Sequence, residues 1–333
     1  MVNVGIIGLG SHWDRVYAPL LRKFRSRIAV RAVYDPIAER AEHVADEWEA
    51  AVSHGMLSLL ERTDVRAVLL LDMAWYGHEA LHLIRAQHKP AYIAGRLGDD
   101  ADRLSQHYEA AQSEGLMLMP ELGSRYTPST ARLRELIATR IGRPHRVSLE
   151  VACQGEWIEG GHPDATCMPY LVDLFDWCRY VVRSVPLRLC AKRGDNNGAS
   201  SGPNLSIAIE YAEPRDGGAR PVADIHLLAA SRASDAPECS LTAREVQCER
   251  GRAILPADAD ISWATSAKPS ESESVTESLQ SDRPATEVML DHFCRRVSGG
   301  LIPVADIADV CLGLNTARAI DESLLTGASV DLC

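Results

Sequence analysis

The spacing of apolar and polar residues changes once along this chain. Between residues 2 and 120, short apolar runs recur: VNVGIIG (2–8), IAVRAVYD (28–35), VRAVLLLD (65–72), AYIAG (91–95) and LMLMP (116–120). The stretches between them, VYAPLLRKF (16–24), IAERAEHVADEW (37–48), HEALHLIRAQ (78–87) and DDADRLSQHYEAAQSEG (99–115), carry apolar residues at helical intervals. Strand alternating with helix predicts a parallel sheet with helices on both faces. After TPSTARLRELIATRIG (127–142), a helix opened by Thr-Pro-Ser and stopped by glycine, the period becomes two: HRVSLEVAC, LRLCAKR, NLSIAIEYA, VADIHLLAAS and SLTAREVQCE. That alternation predicts a mostly antiparallel sheet in a second, α+β domain. The Ser/Glu-rich stretch 266–283 reads as a surface loop, and two helices, 285–299 and 304–327, finish the chain.

The predicted fold class is therefore α/β, with a doubly wound parallel sheet over 1–122 and an α+β domain over 123–333. A length of 333 residues suits two such cores. No apolar run reaches the roughly 18–20 residues of a membrane span, and no basic lead or cleavage site marks a signal peptide, so a cytoplasmic location is expected. A formal charge of −11 disfavours nucleic acid and anionic membrane as partners. Nine scattered cysteines without a CxxC pair read as free thiols.

Two short motifs compete for the chemistry. HEALH (78–82) has the spacing of a zinc site, with His78 and His82 one helical turn apart and Glu79 as a base. The third histidine, His88, follows without the glycine break that would swing it back, and the helix must keep Ala80, Leu81, Leu83 and Ile84 for a core. No metal is expected. GLGSHW (8–13) opens a helix directly after a strand, with Gly8 and Gly10 in the first two positions of GxGxxG and Trp13 in the third. The first glycine permits a tight turn, the second a close approach of backbone to pyrophosphate, and the helix start favours its charge. Asp35, ending the second strand, is either a turn residue before Pro36 or an acceptor for ribose hydroxyls. With the glycines, it favours a Rossmann domain that binds NAD rather than NADP.

Further pieces, in order and spacing, resemble the Gfo/Idh/MocA oxidoreductase family across almost the whole chain. These are YAPLL, VYDPIAERA, TDVRAVLLL, SRYTPSTARLRELI, EGGHPDATCMPYLVDLFDW, CERGRAIL and TARAIDESLLTGASVDL. The resemblance implies a substrate domain with a large open sheet, a homodimer or homotetramer, and hydride transfer between NAD(P) and a sugar- or cyclitol-like alcohol. Two motifs depart from the family. Its EKP triplet falls on Ala94, Gly95 and Arg96, so Gly95 replaces the lysine. Its DxGxHxxD segment keeps Gly160, Gly161 and Asp173 but places Thr166, Met168 and Tyr170 at the first acid, glycine and histidine. Asp72, Met73 and Ala74 replace a threonine-proline-asparagine segment.

The implied catalytic set is Tyr170 as proton donor with Asp173 and His162; Asp164 lies on the same segment. The implied cofactor set is Gly8, Gly10, Ser11, His12, Trp13, Asp35, Asp72, Trp75, His78 and Arg96. The altered motifs leave a second function open: a catalytically inactive relative acting as a dinucleotide-sensing or partner-binding protein.

Overall fold

The structure is a computed structural model that describes residues 1–95, 97–98, 100–154, 168–194, 205–214, 217–230, 239–265, 274–279 and 283–332. Its chain order begins β1 (Val2–Ile7), a π-helical turn (Trp13–Tyr17) leading into α1 (Ala18–Lys23), β2 (Ile28–Tyr34), α2 (Ala38–Trp48), β3 (Ala51–Val52) and α3 (Met56–Leu60). Then come β4 (Ala67–Leu70), α4 (Met73–Ala86), β5 (Ala91–Ile93), α5 (Ala101–Ser113) and β6 (Leu118–Pro120). These strands form a parallel sheet in the order β3-β2-β1-β4-β5-β6. The chain leaves β1 toward one edge and returns at β4 toward the other. This reversal makes the C-terminal ends of β1 and β4 a topological switch point, where such sheets bind ligands.

The sequence explains these elements. Ala67, Val68, Leu69 and Leu70 are all essentially inaccessible, as a strand covered on both faces requires. Helix α2 turns Ala41, Val44 and Ala45 inward and leaves its charges outside. Asp100 caps α5 by accepting from Arg103 N at 2.9 Å.

The chain continues through α6 (Pro128–Leu136), β7 (Pro144–Gln154), α7 (Met168–Val182), β8 (Pro186–Arg193), β9 (Leu205–Tyr211), β10 (Val222–Ala230) and β11 (Cys239–Cys248). It ends with β12 (Gly251–Ala257), β13 (Asp260–Thr265), β14 (Ser274–Ser278), α8 (Ala285–Val297), α9 (Ile307–Thr326) and β15 (Val330–Asp331). The second sheet runs β14-β13-β12-β11-β7-β10-β9-β8-β15, antiparallel except where β7 meets β10. Its inward residues, among them Val147, Leu149, Val151, Ile207, Ile225 and Val246, form one core with Leu171, Leu174, Phe175 and Trp177 of α7. The described cysteines Cys153, Cys178, Cys190, Cys239, Cys248, Cys294 and Cys311 are unbridged. No helix among the described residues is long and apolar enough to cross a membrane.

Two findings differ from the sequence expectations. The chain divides into one unit of 1–122 with 286–312 and another of 123–285 with 313–333, rather than by one cut at 122/123. The reason is α8, whose Phe293 meets the Tyr92 ring edge-on at 5.8 Å and whose Asp291 pairs with Arg27. The stretch 266–283 is also not wholly a loop, because Ser274–Ser278 pairs with β13 as an edge strand. Ser262 and Thr276 meet across that pair at 2.9 Å, and Glu277 accepts from both Arg132 and Trp263. An edge strand tolerates polar residues on both faces, so its composition resembles that of a loop.

Candidate functional site

In the first unit, the turn after β1 holds Gly8 at φ 70° and Gly10 at φ 62°, the left-handed region that disfavours side chains. A methyl group on Gly10 would lie 2.7 Å from the Leu71 carbonyl oxygen, and one on Gly8 would lie 2.7 Å from the Tyr76 ring. Both glycines are therefore fixed by the end of β4 and the start of α4 as well as by turn geometry. Asp35 is buried and completes the turn: its two oxygens accept from Leu9 N and Ile37 N, each at 2.9 Å. Arg40 donates to Gly10 O at 3.1 Å and lies 3.9 Å from the Asp35 carboxylate. The turn-residue reading of Asp35 thus has a direct structural basis, and its charge stays beside the glycine loop. Ser11 and His12 are exposed on the turn, while Trp13 is buried beneath it.

Asp72 sits at the N-cap of α4, and Trp75 is 70% exposed. The Tyr76 ring lies 6.0 Å from Tyr34, and burial raises its phenol pKa above the ordinary value. Helix α4 then breaks at Gly77, with φ 60° and ψ −155°. Beyond the break, His78 stacks on His107 of α5, the rings 5.6 Å apart and 9° from parallel. Burial lowers both imidazole pKa values, that of His107 to about 4. His78 therefore packs between two helices, while Glu79 and His82 are exposed. No group of three or more His, Cys, Asp or Glu residues with metal-binding geometry occurs among the described residues.

Gly95 adopts φ 80° with no atom within 4 Å of where a Cβ would lie, so a lysine there would have space but a strained backbone. Arg96 lies outside the described residues. Glu121, just after β6, was not singled out from the sequence. It accepts from Tyr17 Oη at 2.8 Å and from Tyr92, and burial raises its carboxyl pKa. Its position at the C-terminal end of a parallel strand was the available signal.

In the second unit, α7 aligns Tyr170, Asp173, Asp176 and Trp177. Asp173 accepts from the Ser124 hydroxyl and, at 3.3 Å, from Ser124 N. Its carboxyl pKa is raised to about 6 by burial and then by the nearby Asp176 charge, with the Ser124 bonds opposing. Tyr170 is half-buried, and burial raises its phenol pKa while the Arg244 cation lowers it. The structure hydrogen-bonds Asp173 to Ser124 rather than to Tyr170, so Asp173 fixes α7 on the Ser124 turn. Arg125 binds Asp176 through two nitrogens, and Trp177 Nε1 donates to Thr130 Oγ1 at 2.9 Å. Arg244 pairs with Asp258. It was missed although SLTAREVQCE shows the signal, a charge sharing the inward side of β11 with Val246 and Cys248. His162, Asp164, Thr166, Gly160 and Gly161 lie outside the described residues.

The model of a family described as an oxidoreductase family with an NAD-binding Rossmann fold matches residues 2–121. An NAD-binding oxidoreductase from Klebsiella pneumoniae is similar over 100% of this chain and 99% of that chain, at 13% identity and TM-score 0.78. A putative myo-inositol dehydrogenase from Sinorhizobium meliloti 1021 matches over 100% of both chains, at 16% identity and TM-score 0.74. The super-repressor mutant of Gal80p from Saccharomyces cerevisiae matches over 99% of this chain and 97% of that chain, at 13% identity and TM-score 0.76. At these identities the likeness is one of fold. No curated protein matches the chain in sequence.

Proposed function

We propose that this chain, whose residues 2–121 match the model of the Gfo/Idh/MocA oxidoreductase family, is an NAD-dependent oxidoreductase acting on a sugar- or cyclitol-like alcohol. The observation that carries the reading is the Gly8–Gly10 turn at the switch point, locked by Asp35. Gly8, Gly10, Ser11, His12 and Asp72 would hold the dinucleotide; when bound it gives or takes the hydride. A carboxylate at Asp35, beside the loop, repels a 2′-phosphate and favours NAD over NADP. Tyr170 replaces the family histidine, and its Oη holds the proton exchanged with the reacting hydroxyl. The Arg244 cation acts on that phenol in the direction the absent family lysine would. Asp173 is a positioning residue.

A second reading, a dinucleotide-responsive binding protein without turnover, is favoured by Gly95 at the lysine position and by a fold shared with Gal80p. Titration of the purified protein with NADH and NADPH, followed by a polyol screen, separates the two. We expect NADH to bind more tightly than NADPH. We also expect turnover that Tyr170→Phe lowers by about 100-fold or more without changing NADH affinity. NADH binding without turnover of any polyol supports the second reading, and failure of both nucleotides to bind sinks both.

A further inference from the structure

Arg244 occupies a position that strand geometry reserves for apolar residues. On β11 it shares its side with Val246 and Cys248, which are buried in the core of the second unit, whereas Glu245 and Gln247 are only partly buried. Arg244 itself is 6% exposed. One nitrogen, Nη2, binds Asp258, and the guanidinium lies 5.5 Å from the Trp177 ring. Its Nε and Nη1 are buried and have no hydrogen-bond partner among the described residues. A buried cation with unused donors is a costly arrangement, and native structures rarely keep one without a purpose.

The charges around it define what is missing. Asp176 is already held by Arg125 and Arg179, and Asp173 by Ser124, so neither completes Arg244. Asp258 supplies one carboxylate, and its side chain is 67% exposed, which opens this end of the pair to solvent. Tyr170 lies within electrostatic reach.

We propose that Arg244 is a binding residue for an anionic group of the substrate, and that this group is a carboxylate. The inference rests on reading the second unit as the substrate-binding one. A single guanidinium with unused donors matches one singly charged group, and a carboxylate carries that charge on oxygens that only accept. A phosphate dianion beside Asp258 would require further cations, and among the described residues none other than Arg244 is placed against that carboxylate. The substrate class narrows accordingly, from neutral polyols to polyhydroxy acids.

The test compares D-gluconate with D-glucitol, which differ in carboxylate against hydroxymethyl at one end, in binding to the nucleotide-free protein by calorimetry. Inorganic phosphate is titrated alongside. The expected result is gluconate binding at least tenfold tighter than glucitol, and tighter than phosphate. Arg244→Gln is expected to reduce gluconate to the glucitol level while leaving the NADH titration unchanged. Equal binding of gluconate and glucitol, including no binding of either, overturns the proposal. So does a gluconate preference that survives in Arg244→Gln, or phosphate binding tighter than gluconate. Should Arg244→Gln fail to fold, Arg244→Lys keeps the charge without the planar donors, and a loss of gluconate preference is expected there too; a preference unchanged in that variant also overturns it. Gluconate preference without NADH binding removes the oxidoreductase reading alone, and NADH binding without gluconate preference removes the carboxylate site alone.

Discussion

His107 and Asp173 are both buried, and burial acts on their pKa values with opposite sign because it disfavours whichever form is charged. His107 falls from 6.5 to about 4, so between those values the unfolded chain holds more proton than the folded one. Its contribution to stability is therefore full above about 6.5 and lost as pH falls toward 4. Asp173 rises from 3.8 to about 6, so in its window the folded chain holds the extra proton. Its burial penalty is therefore full above about 6 and relieved as pH falls toward 4. His107→Phe, which keeps a ring against His78, should remove an acid-side loss of about 1 kcal/mol, allowing for partial solvent screening. Asp173→Asn should remove an acid-side gain of about 2 kcal/mol. Denaturant titrations from pH 4 to 7 measure both, and unaltered pH profiles in the variants would refute the assignment. Neither shift could be read from the sequence, since both depend on which neighbours exclude water. Tyr170 and Asp173 were singled out from the resemblance of their segment to a family motif. Arg244 was visible only to someone who followed the parity of its strand.

At the scale of elements, the helix containing HEALH separates what pattern reveals from what it hides. Its apolar spacing predicted a helix packed on a sheet, and Ala80, Leu81 and Ile84 are buried as that requires. The break at Gly77 was not legible, because a glycine among helix formers reads as a tolerated weakness rather than a change of direction. A conformation of φ 60° and ψ −155° is open to glycine almost alone. Gly77→Ala is therefore expected to cost roughly 1–3 kcal/mol in chemical denaturation although a Cβ there meets nothing within 4 Å. A variant as stable as the parent would mean that the segment adopts another backbone path. Strands with apolar inward residues, such as β7 and β9, were likewise visible in the alternation. The edge strand β14 was not, because its Thr276 and Glu277 side chains bond Ser262, Trp263 and Arg132 rather than filling a core.

For the whole molecule, period alone gave two architectures in the right order, since a switch from buried parallel strands to alternating antiparallel ones is local information. The return of 286–312 to the first unit is long-range information, carried by which surface α8 finds. On that helix Met289, Leu290, Phe293 and Cys294 are buried, and its acids Glu287 and Asp291 pair with Lys23 and Arg27. Burying one large apolar side chain contributes about 1.5–3 kcal/mol, so three or four of them rival the 5–15 kcal/mol that holds a typical domain together. Residues 1–122 alone should therefore lack a cooperative thermal transition and bind a hydrophobic dye such as ANS. The same residues joined by a flexible linker to 286–312 should melt cooperatively and, on the reading above, bind NADH. Within the full chain, Phe293→Ala should lower stability by about 3–5 kcal/mol. If 1–122 alone melts cooperatively at the temperature of the full protein, α8 is an appendage rather than part of that unit's core.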